Sequence, residues 1–113
     1  MTVQLFAFDF LNEVQSLGTQ VENRLRTEAE DRLRKLQRGH TDLNGAAVSV
    51  EQSLYGESSA RYQARVVAYV HPKNIAAVRK EDDAVNALRS ALDAVERQVR
   101  EQRAQLRPRV RAQ

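Results

Sequence analysis

Apolar and polar residues along the chain keep two different periods, and the places where the period changes divide it into elements. Val3, Leu5 and Ala7 alternate with Thr2, Gln4 and Phe6, and Phe8 and Phe10 follow, which predicts a strand over residues 2–10. Asn12, Ser16 and Gly18 break the pattern across 11–18. From Thr19 to Arg38 the spacing lengthens: Val21, Leu25, Ala29, Leu33 and Leu36 lie three or four residues apart and so share one stripe of a helix. Its charges suit the helix dipole, with Glu22, Glu28, Glu30 and Asp31 towards the start or middle and Arg32, Arg34, Lys35 and Arg38 closing the end. Gly39 is placed as its C-cap.

Asn44-Gly45 reads as a turn. Val48 and Val50 then alternate with Ala47, Ser49 and Glu51 in a half-buried strand, and residues 53–59 read as a flexible hairpin loop. The clearest strand is 61–70, where Tyr62, Ala64, Val66, Ala68 and Val70 alternate with Arg61, Gln63, Arg65, Val67 and Tyr69. His71-Pro72-Lys73-Asn74 makes a turn, and Ile75 to Arg79 a short fourth strand. Asp82 or Asp83 caps a long second helix with the stripe Val85, Leu88, Leu92, Val95, Val99 and Leu106. Pro108 ends regular structure. The expected fold is α+β, in the order β-α-β-β-β-α: a four-stranded mixed sheet with both helices packed on one face, so that each stripe and one sheet face are buried together. Residues 1–107 form one domain and 108–113 a frayed basic tail.

Composition narrows the class. A chain of 113 residues can bury one modest core, and with only 5% aromatic residues that core must be Leu, Val and Ala. The absence of Cys excludes disulfides and thiolate metal sites. No apolar run has membrane-spanning length, and the first eleven residues carry Asp9 and no basic stretch, unlike a signal peptide. These features predict a cytoplasmic binding protein. The formal charge of +3 is unevenly placed: from Arg89 onward seven Arg face three acids, a local excess of +4. Fifteen of the eighteen basic residues are Arg, the side chain suited to bidentate phosphate contacts.

Motifs for catalysis are missing. His40 and His71 sit in predicted turns without metal-ligand spacing, and no glycine-rich phosphate loop or nucleophile elbow occurs. Glu81-Asp82-Asp83 is read as a helix N-terminus stabilised by the dipole, not as an acid-base group. No enzyme, cofactor, metal or small-molecule substrate is expected. The basic helices are the functional signal: Arg32, Lys35 and Arg38 follow the first, and Arg89, Arg97, Arg100 and Arg103 the second. Clustered cations attract polyphosphate and gain from counterion release. The competing reading is a solvated face with i,i+4 pairs such as Glu96 with Arg100.

Two stretches carry a resemblance. DRLRKLQR (31–38), followed by a turn and AAVSVEQ (46–52), is similar to a basic helix end and second strand of the ribosome hibernation-promoting factors, also called ribosome-associated inhibitor, protein Y or sigma-54 modulation proteins. EDDAVNALRSALDAVERQVREQ (81–102) resembles that family's second helix. The likeness spans roughly residues 29–103. It implies a stress-response translation regulator that binds 16S rRNA of the small ribosomal subunit near the decoding centre. Matched position by position, Arg32, Lys35, Arg38 and Arg97 would contact rRNA; Arg89, Arg100 and Arg103 join them on charge alone. Val85 stands where the family has Tyr, and Ala94 and Glu101 where many members have Lys. Ending at Gln113, the chain resembles a short form, which would act on single ribosomes or assist their dimerisation. The alternative is a protein–protein module of the same fold, forming a homodimer or taking a partner through the heptad-like stripe of the second helix.

Overall fold

The computed structural model describes residues 6–14, 17–52 and 61–106. Its elements are β1 (Ala7–Asn12), α1 (Thr19–Gly39), β2 (Leu43–Gln52), β3 (Tyr62–Val70), β4 (Ile75–Glu81) and α2 (Ala84–Leu106), in the expected β-α-β-β-β-α order. The four strands lie side by side in chain order, with β1 parallel to β2 and the other neighbours antiparallel. The parallel pair needs a crossover, which α1 supplies, whereas β2, β3 and β4 are antiparallel neighbours and need none.

The core lies between the sheet and both helices. α1 contributes Leu25, Ala29, Leu33 and Leu36 as its stripe requires, and the inward residues of β3, Ala64, Val66 and Ala68, are fully buried. α2 buries Leu88, Leu92, Val95 and Val99, together with Ala84, Ala87, Ala91 and Ala94 beside them. The alanines widen the apolar stripe into a smooth surface, on which the helix lies close over β3 and β4. That packing corrects the alternative reading of α2: its stripe faces the chain's own sheet and is not a surface for a partner helix. The side chain of Leu106, the last residue in the stripe, lies outside the description, as do the predicted loop 53–59 and the tail.

Four local expectations change. β1 runs through Asn12 and has the opposite phase: Phe6, Phe8 and Phe10 turn inward, while Ala7, Asp9 and Leu11 face out. Strand periodicity fixes two faces without saying which is inside, and here ring area outweighs the smaller odd-numbered residues. Asn12 ends the strand by accepting a hydrogen bond from the Val14 N–H (2.9 Å) and donating one to Glu22 of α1 (2.8 Å).

Asn44-Gly45 belongs to β2, at a register irregularity between Leu43 and Gly45. A Cβ at Gly45 would strike the carbonyl oxygen of Ala7, so glycine serves the close approach of β1, not a turn. Gly39 is the last residue of α1 without a left-handed backbone; His40 follows, its N–H bonded to the Gln37 carbonyl at 3.0 Å. β4 continues to Glu81, past the expected Arg79. Of the two proposed caps for α2, Asp83 is the one used: its carboxylate accepts the Asn86 N–H at 2.7 Å.

Candidate nucleic-acid interface

On the side away from the sheet, α1 and α2 lie along each other and run in the same direction, as the order of their cross-contacts requires. Glu28 meets Arg89, Arg32 meets Asp93 and Glu96, and beyond α1 Asp42 meets Arg103. In the first of these, Arg89 gives both Nε (2.8 Å) and an Nη nitrogen (3.0 Å) to the two Glu28 oxygens. Arg32 spans two acids of α2, donating Nε to Glu96 at 2.9 Å and Nη2 to Asp93 at 2.5 Å.

Electrostatics follow this geometry. The hydrogen bond from Arg89 holds the Glu28 carboxyl below its ordinary value, and the same bond raises Arg89. Burial opposes the charge on Arg32, but hydrogen bonds to Glu96 and Asp93 outweigh it and hold the guanidinium above its ordinary value. The i,i+4 pair of Glu96 with Arg100 that the competing reading required does not form, because Glu96 serves Arg32 across the seam.

The predicted site residues therefore separate into two sets. Arg32, Arg89 and Arg103 each hold an acid of their own chain. Lys35, Arg38, Arg97 and Arg100 are exposed, and among the described residues no ion pair engages them. Lys35 and Arg100 come together on the wall of a surface concavity of about 250 Å³, with Arg32, Leu36 and Glu96. Arg38 occupies the last turn of α1. On α2, Arg97 is turned about 60° from Arg100, so these two cations flank one edge of the outer surface instead of stacking.

Two further arginines fix the sheet edge. Arg34 pairs with Glu30 at 2.8 Å and lies 5.2 Å from the centre of the Phe6 ring. Arg26 pairs with Glu22 and lies 5.4 Å from the centre of Phe10. Sequence charge counting could not separate the seam cations that are paired from those that are not, since each role depends on what a residue some sixty positions away supplies.

The three positions that depart from the family pattern are also not equivalent. Ala94 is 3% exposed and faces the sheet, so its missing lysine is not a missing surface charge. Glu101 is exposed and Val85 half-buried. Among the described residues no cluster of three potential metal ligands occurs, and no helix is long and apolar enough to cross a membrane.

Residues 13–107 match the family model described as sigma 54 modulation protein / S30EA ribosomal protein. No curated protein sequence matches the chain. Among solved structures, a ribosomal subunit interface protein from Coxiella burnetii is similar with a TM-score of 0.64 and 11% identity, over 87% of this chain and 98% of that one. The N-terminal domain of Thermus thermophilus protein Y is similar with a TM-score of 0.60 and 18% identity, over 86% of this chain and 98% of that one. At these identities the likeness is one of fold.

Proposed function

The chain belongs to the family of sigma 54 modulation proteins and S30EA ribosomal proteins, and from it we propose a ribosome-associated hibernation factor that docks on 16S rRNA of the small subunit. The protein acts in the cytoplasm, where its partner is. It sits near the decoding centre and excludes tRNA and mRNA, with the outer surfaces of α1 and α2 against the phosphate backbone. Lys35, Arg38, Arg97 and Arg100 make the phosphate contacts. Arg32, Arg89 and Arg103 hold the two helices in the spacing that presents them.

What supports this reading is that four exposed cations at the later part of the seam have no acid partner among the described residues. A cation already paired within its chain must lose that partner to bind phosphate, whereas an unpaired one releases counterions at little cost. Four such contacts give a log–log salt slope of about −3 to −4, or roughly a hundredfold loss of affinity between ~50 and ~200 mM salt.

The test is co-sedimentation with purified small subunits and intact ribosomes across that range. Pelleting that weakens with salt supports the proposal. No pelleting at the lowest salt sinks it.

A further inference from the structure

The sheet face turned away from the helices is not covered by any described element of the chain. It exposes apolar residues on both edge strands and on β3: Leu11 is 56% exposed, Val78 42% and Tyr69 40%, and Val67 is half-buried between Ala47 and Ala76. A concavity of about 370 Å³ opens over Ala47 and Ser49, bounded by Asp9, Leu11, Arg65 and Val67. The face carries Asp9 and Glu51 on β1 and β2 and Arg65 and Lys80 on β3 and β4, so its charges cancel. A neutral apolar face does not suit polyphosphate, which the basic helices on the other side do.

We propose that this face binds a second copy of the same chain, sheet against sheet, about a two-fold axis parallel to the strands between β2 and β3. The ladder register supplies the argument. Leu11, Ser49, Arg65 and Val78 lie in one row across the sheet, and Asp9, Ala47, Val67 and Ala76 in the next. That axis sets each row against itself reversed. Leu11 meets the second copy's Val78, an apolar contact repeated at both edges, and Val67 enters the concavity over the second copy's Ala47, a large residue opposite a small one. Arg65 meets Ser49 and lies diagonally beside the second copy's Glu51, so the basic half of one face covers the acidic half of the other. The self-complementarity of size and of charge selects this occupant over an unrelated protein.

The area sets the strength. Four strands ~4.8 Å apart and about six residues at ~3.3 Å give a footprint of roughly 400 Å² per copy, about half that of a standard stable interface. The dimer is therefore weak, half-formed at roughly tens to hundreds of micromolar, and it leaves both helix surfaces uncovered.

Sedimentation velocity of the full chain from ~1 to ~500 μM tests it, without ribosomes, so its result is independent of the rRNA proposal. The weight-average mass is expected to rise towards twice the chain mass. Leu11→Glu and Val78→Arg, both at exposed positions, are each expected to weaken association about tenfold or more. Mixing the two variants restores it, because Glu at 11 then meets Arg at 78 while the reciprocal Val78–Leu11 contact is intact. A wild-type chain monomeric throughout, or variants that associate as the wild type does, would overturn the proposal and assign the face to another occupant. Failure of the mixture to associate more strongly than either variant alone would overturn this register.

Discussion

In the first part of the α1–α2 seam, both guanidiniums that reach across meet carboxylates: Arg89 at Glu28, Arg32 at Asp93 and Glu96. In the later part, Lys35 and Arg100 face a shared concavity in which the only acid on the wall, Glu96, is already bonded to Arg32. The same kind of side chain thus performs two tasks, and the facing helix decides which. Where the facing helix supplies an acid, the cation joins two elements through residues sixty-one or sixty-four positions apart in the chain. Where it does not, the positive charge remains available to an outside phosphate.

The largest expected effect comes from removing the unpaired set. Changing Lys35, Arg38, Arg97 and Arg100 together to Ala should lower small-subunit affinity at least about a hundredfold at moderate salt and abolish most of the salt slope. Thermal stability should move little, within about 0.5 kcal/mol, because no native partner is lost. Co-sedimentation over a salt series and a melting curve on the same sample read both quantities. Undiminished ribosome binding would remove these four residues from the interface.

Single substitutions sharpen the contrast. Arg100→Ala should reduce affinity several-fold with stability unchanged, as the loss of about one phosphate contact. Arg32→Ala should instead lower stability by about 1 kcal/mol, since it leaves the Asp93 and Glu96 carboxylates beside each other without their cation. Equal losses of affinity with no change in stability from either substitution would erase the distinction between the two parts of the seam. A smaller effect separates the competing partners of Glu96: a double-mutant cycle should give a coupling of about 0.5–1 kcal/mol for Arg32 with Glu96 and near zero for Arg100 with Glu96.

Much of this molecule was legible without coordinates. The Leu25, Ala29, Leu33, Leu36 stripe and the alternation of β3 fixed two elements, and the element order with its family resemblance followed. What was not legible depended on contacts distant in sequence. The phase of β1 was set by which parity carried the larger rings, and the place of Gly45 by the approach of Ala7, a residue of another strand. Four alanines of α2 looked unremarkable beside Leu and Val, yet they complete its buried face. Charge counting put seven cations in one group, which the ion pairs of Arg32, Arg89 and Arg103 divide, and i,i+4 arithmetic paired Glu96 with its own helix. Local spacing has no knowledge of Arg32, whose Nε bonds that carboxylate at 2.9 Å.

The smallest effect, and the most specific to the paired part of the seam, is a pH dependence at Glu28. Its folded-state carboxyl lies below the ordinary value because Arg89 donates to both oxygens. A depressed carboxylate contributes stability that is fully present above its unfolded pKa of about 4.3 and is lost as the pH falls through the lower folded value. Glu28→Gln removes the titrating group while keeping the shape. The difference in stability between wild type and this variant should therefore be constant from about pH 7 to about pH 5 and shrink below about pH 4. Salt should reduce it throughout, because the Arg89 side chain is 53% exposed and the pair is open to screening. Urea unfolding at a series of pH values measures the difference. A gap that persists undiminished to the lowest pH would mean that Glu28 contributes by packing alone, and that the seam is held at this end by its apolar residues and not by charge.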